Sequence, residues 1–194
     1  MKARFFLGLM LASTLAACGI NSVPTAEENA KAKWANVQAD YQRRADLVPN
    51  LVETVKGYAK QEKDVLTQVT EARAKATSVQ VTAEDLDDPA KVQQFQQAQT
   101  ALSGSLGRLL ATVEAYPDLK SNANFLALQS QLEGTENRIN VSIKDYNEAV
   151  QQYNTTIRTF PDIIGAKIVH GAKPMVPYQA QAGSDQAPKV NFGG

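Results

Sequence analysis

The chain has 194 residues, 43% hydrophobic and 21% charged, with 20 basic against 20 acidic side chains. That size suits one domain with appendages, and the even charge excludes the concentrated basic footprint that nucleic-acid binding requires. Loss of Lys2 and Arg4 with a signal peptide would leave 18 basic against 20 acidic residues, a slightly acidic chain. The single cysteine, Cys18, excludes an internal disulfide.

Met1-Lys2-Ala3-Arg4 is a short basic segment, Phe5 to Leu15 is apolar, and Ala16 and Ala17 are small. This is the layout of a secretory signal; the apolar run is shorter than the ~20 residues needed to cross a bilayer. Leu15-Ala16-Ala17-Cys18 resembles the lipobox of bacterial lipoproteins. The resemblance implies that residues 1–17 are removed and that the Cys18 thiol takes diacylglycerol, with palmitate-type chains fixing the protein to the lipid bilayer. In a host with two membranes, Gly19 favours the periplasmic face of the outer membrane over inner-membrane retention. Residues 18–24 are then a lipidated cysteine and tether.

Thr25 and Glu28 fit a capping box, placing a helix start there. Trp34, Val37 and Tyr41 continue at helical steps, followed by Val48, Leu51, Val52, Val55 and Tyr58, with a stripe running to about Thr77. Residues 78–88 read as a polar linker, acidic at Glu84, Asp85, Asp87 and Asp88. Asp88-Pro89 is an N-cap followed by a first-turn proline, opening a helix that Tyr116-Pro117 ends. Ser121-Asn122 starts another, whose stripe runs from Phe125 through Leu132, Ile139, Tyr146, Val150 and Tyr153 to Phe160. From Gly171 the prolines, glycines and polar residues predict a flexible tail over 171–194.

Pro49 leaves two architectures open. The apolar phase 34, 37, 41, (44), 48, 51, 55 passes through it with only Arg44 out of place, which fits one long helix kinked at Pro49 in a three-helix arrangement. Lengths favour the other: a helix over 25–77 would reach about 80 Å, and the helix at 89–116 returns only about half of that. A reversal near Arg44-Ala45, with Asp46 as the new N-cap, closes an all-α antiparallel four-helix bundle over 25–165, and this is the favoured expectation.

The runs from Arg43-Arg44-Ala45-Asp46-Leu47-Val48-Pro49-Asn50-Leu51-Val52 to Tyr58, then Leu126-Ala127-Leu128-Gln129 with Gln131 to Ile139, and Asp145-Tyr146-Asn147-Glu148-Ala149-Val150 through Tyr153-Asn154 to Phe160-Pro161, resemble the LemA family of bacterial membrane-anchored proteins. The resemblance covers about residues 30–165. It implies a four-helix antiparallel bundle held outside the cytoplasm, in the cell envelope, and it carries over no catalytic residues, since the family has no agreed molecular activity. Many members use an N-terminal transmembrane helix where this chain has the lipobox.

The chemistry agrees with a protein that is not an enzyme and binds no cofactor. With His170 the only histidine and Cys18 acylated, no nucleophile–base constellation forms. Paired Glu-x-x-His segments, phosphate loops and zinc spacings are missing, so no metal site is assigned. The candidate site is a polar interaction patch of Arg43, Arg44, Asp46, Glu133, Glu136 and Arg138, set against the alternative of an ion-paired surface that fixes helix register. The leading functional expectation is a lipoprotein scaffold for an unidentified envelope protein partner. The second is a module binding a small ligand or cation in the bundle or at the acidic linker.

Overall fold

Apolar residues at three- and four-residue steps carry the first helix, α1, unbroken over Lys2–Tyr58. The computed structural model describes residues 2–179, and side chains from Ile20 onward. α1 is followed by α2 (Lys63–Ser78), α3 (Pro89–Val113), the single turn α4 (Pro117–Lys120), α5 (Ala123–Thr156) and the single turn α6 (Asp162–Gly165). A 3₁₀ turn at Ala83–Asp85 precedes α3 and a π turn at Ala166–His170 follows α6. There is no strand among the described residues.

The chain does not reverse at residues 44–49. Asp46 caps nothing; its carboxylate accepts a hydrogen bond from the Gln42 side chain one turn back, at 2.7 Å. The apolar phase was the sounder guide, and Arg44 belongs to it, being as buried as Trp34 and Val48 on the same stripe. The length argument failed because the main partner of the Trp34 half is not the helix at 89–116. It is the C-terminal half of α5, together with residues 79–86 and 172–178, which pack on it in one apolar core. The other core joins the C-terminal half of α1 to α2, α3, α4 and the start of α5.

A proline inside a helix removes one N–H and orphans the carbonyl four residues earlier, and α1 contains Pro24 and Pro49. Both orphaned carbonyls are answered from elsewhere in the chain. Arg73 Nε of α2 donates to Ala45 O at 2.7 Å, and His170 Nε2 donates to Ile20 O at 3.0 Å. Ala45 is buried, so its carbonyl has no water to fall back on. Arg73→Ala is therefore expected to destabilise the protein by about 1 kcal/mol, and by a fraction of that in a Pro49→Ala background, where residue 49 regains its N–H. Denaturant midpoints of the four proteins in this cycle check it.

The helix starts read at Asp88 and Asn122 fall where expected. Asp88 accepts from Ala90 N and Lys91 N ahead of Pro89, and Asn122 accepts from Asn124 N and Phe125 N. Thr25 is not a cap: its hydroxyl donates to Asn21 O within the continuous helix. The expected tether is helical as well, with Val23 fully buried and Ser22 hydrogen-bonded to Asp162. The expected linker is a bracket, since Val81 and Leu86 are fully buried and Val81 O accepts from both Trp34 Nε1 and Gln38 Nε2 at 2.9 Å. α5 stops at Thr156, short of Phe160, whose ring is exposed rather than on the buried stripe.

Candidate functional site

Arg44 lies between the two apolar cores. Its stripe position turns it inward from α1, and its guanidinium meets Gln99 O at 3.0 Å, Gln99 Oε1 at 2.9 Å and Ser103 Oγ at 2.6 Å, all on α3. On the α5 side Glu136 Oε2 is 3.3 Å away. The Tyr41 ring, 4.9 Å from the guanidinium carbon, adds a cation–π contact. Only Nε is left without a partner. Gln99 in turn donates to Ala76 O near the end of α2, so one arginine links four helices through a short polar network. A buried cation held this way fixes how the helices are rotated against one another, because a one-residue rotation would strand it.

The expected patch is thus only partly one site. Arg44 and Glu136 come together, but Arg44 is nearly inaccessible while the Glu136 side chain is half exposed. Arg43, Asp46, Glu133 and Arg138 are exposed. Asp46 and Glu133 are satisfied by glutamines on their own helices. Arg138 lines a shallow groove of about 390 Å³ between α1 and α5, with Asn36, Asp40, Asn137 and Ser142. There Ser142 Oγ donates to Asp40. Gly134 is not required by packing, since a Cβ there would meet nothing within 4 Å.

A second polar arrangement escaped the sequence reading. Residues 172–178, expected within the flexible tail, lie along α5. Asn154 pairs with the backbone of Met175, accepting from its N at 2.9 Å and donating to its O at 2.8 Å. One heptad earlier, Asn147 pairs with Tyr178 N at 2.7 Å and Tyr178 O at 2.9 Å. Tyr153 OH and Tyr146 OH donate to Lys173 O and Val176 O, and Val176 N donates to Leu86 O. Seven helical residues span about 10.5 Å and three extended ones about 9–10 Å, so the Tyr-Asn repeat on α5 matches a three-residue repeat in the strap. The prolines fit that repeat: Pro174 and Pro177 each precede the residue whose N–H an asparagine accepts. The strap therefore runs antiparallel to α5.

The strap closes over the Trp34 core and brings the Tyr178 hydroxyl to 2.5 Å from that of Tyr41. Burial, reinforced by Tyr178, pushes the Tyr41 phenol far above the ordinary tyrosine range. Asn154→Ala is expected to cost about 1–3 kcal/mol, since both polar groups of the buried Met175 lose their partner. Hydrogen exchange should show the Met175 and Tyr178 amides opening while those of Leu51 and Ile139 stay protected.

The acidic segment is already engaged by the protein's own donors. Asp85 closes a capping box with Thr82, and its ion pair with Lys91 lowers its pKa to about 2. Asp87 pairs with Lys173 and Asp88 caps α3. Among the described residues no group of three His, Cys, Asp or Glu side chains could hold a metal ion, and no helix is long and apolar enough to cross a membrane. The Cys18 side chain, and with it the lipidation expectation, lies outside what the structure describes.

These features define an all-helical protein built on one long helix, its packing set by a buried arginine network and closed by a C-terminal strap. A model of the LemA family matches residues 33–192, strap segment included, and the chain belongs to that family. Protein LemA of Metamycoplasma hominis is 27% identical over 124 residues, covering 64% of this chain and 52% of that protein. Magnetosome protein MamQ 2 of Paramagnetospirillum magneticum is 27% identical over 157 residues, covering 73% and 58%. Magnetosome protein MamQ of Magnetospirillum gryphiswaldense is 25% identical over 177 residues, covering 83% and 65%. The chain spans between about half and two thirds of the length of these relatives.

Proposed function

We propose that this LemA-family chain is a lipoprotein, anchored outside the cytoplasm through acylated Cys18, that works as a scaffold and performs no catalysis. The observation that carries the reading is the Leu15-Ala16-Ala17-Cys18 lipobox, placed directly before the first buried turn of the bundle at Val23. With so little chain between lipid and fold, the bundle works at the membrane surface. In a host with two membranes, that surface is the periplasmic face of the outer membrane.

The face offered to an envelope protein partner is the α1/α5 surface over the arginine network. Arg43, Glu133 and Arg138 present charge there beside the groove lined by Asn36, Asp40 and Ser142. Arg44 and Glu136 hold the two helices in register beneath it, so the exposed charges keep a fixed spacing. Polar surfaces of this kind favour specificity and fast association over raw affinity.

Cys18→Ser is expected to release the protein from membranes into the soluble fraction, read by fractionation of cells; unchanged retention refutes lipid anchoring. Photo-crosslinkers at positions 43 and 138 in intact cells should recover one specific protein. Labelling no stronger than from Lys75, on the exposed side of α2, would remove the partner face.

A further inference from the structure

The exposed apolar residues of this protein are not scattered. Among the described residues, Ile20, Phe160, Ile164, Ile168 and Val169 are five of the eight large hydrophobics left in solvent, and Ile168 is 79% exposed. All five belong to one end of the molecule, because the segment from Thr159 to His170 folds back onto the N-terminal described part of α1. Asp162 binds Ser22, and His170 binds the Ile20 carbonyl. Ile164 and Ile168 are one turn apart, so they stand on the same side of the α6–π-turn segment. The other three, Tyr58, Leu126 and Val141, lie along or at the far end of the bundle. Single exposed apolar side chains need no explanation, but a group of five does.

We propose that this foot, residues 160–169 with Ile20, lies flat in the interfacial layer of the lipid bilayer. The argument for lipid is where the foot sits. α1 is one continuous helix here, so Ile20 lies only two residues, about 3 Å of helix rise, from Cys18. Acyl chains on that cysteine hold the foot within reach of the acyl boundary. Charge agrees: Arg158 and Lys167 are exposed around the apolar side chains, while Asp162 is turned inward to Ser22. Apolar side chains bordered by cations are the pattern of a segment lying in a membrane interface. The proposal rests on the anchored reading and adds an orientation to it: the bundle stands on this end, with the turn at Ala59–Glu62 directed away from the membrane.

The test uses the full chain, purified from membranes and reconstituted into vesicles of phosphatidylethanolamine and phosphatidylglycerol, half of them prepared with bromine-labelled acyl chains. An environment-sensitive fluorophore is placed on Ile164→Cys, Ile168→Cys or Lys60→Cys, with the wild-type chain reporting any labelling of Cys18. The expected result is a blue-shifted emission, quenched several-fold more strongly by brominated lipid at 164 and 168 than at 60. A chain that floats with the vesicles but shows the same weak quenching at all three sites overturns the docking and leaves the anchor intact. A chain that does not float overturns both. Blue shift at 164 and 168 without bromine quenching overturns lipid docking in favour of a second copy of this chain covering the foot.

Discussion

Trp34→Ala should be among the most damaging single substitutions in this protein, costing about 3–5 kcal/mol and moving the denaturation midpoint accordingly. The indole is 1% exposed and packs edge-on against Phe95 at 5.3 Å and tilted against Tyr146 at 5.0 Å. Its N–H holds Val81 O, so truncation both opens a cavity and loosens the bracket between α2 and α3. Aromatic pairs of this geometry contribute beyond their buried area. Trp34→Phe should recover most of the packing and lose chiefly the hydrogen bond, which Gln38 still makes to the same carbonyl. A smaller penalty for alanine than for phenylalanine would contradict this account of the core.

Arg44→Met is the second substitution with a large expected effect, about 2–4 kcal/mol. Methionine fills much of the volume but leaves Gln99 O, Gln99 Oε1 and Ser103 Oγ without their donor. Glu136→Gln should cost about 1 kcal/mol or less, because its half-exposed carboxylate is screened and returns readily to water. Urea titrations of the two variants separate the cases. Equal penalties would mean that the ion pair, rather than hydrogen bonding to α3, holds the arginine in place.

The asymmetry explains what could be read from the chain and what could not. The caps at Asp88 and Asn122 were legible because a side chain and the next three residues decide them locally. The stripe on α1 was legible too, but weighing helix lengths against it led to a reversal that does not occur. That calculation assumed helices can be covered only by helices, whereas Trp34 and Tyr41 are covered partly by irregular backbone at 79–86 and 172–178. Such backbone has no periodicity to detect. The paired hydrogen bonds that fix the 172–178 segment come from Asn147 and Asn154, which stand beside the stripe rather than on it. A seven-residue Tyr-Asn repeat facing a three-residue proline repeat was the available signal. The meeting of Arg44 with Glu136 was anticipated as a surface event; the apolar phase through position 44 carried the information that it is interior.

The two prolines of α1 also bear on the order in which the molecule can be completed. A chain made from its N-terminus emits α1 first, with the carbonyls of Ile20 and Ala45 unanswered. The donor for Ala45 follows 28 residues later, when α2 emerges. The donor for Ile20 lies 150 residues on, at His170. The half of the rod that holds Ala45 can therefore be finished while synthesis continues, whereas the end nearest Cys18 stays unfinished until almost the whole polypeptide has been made.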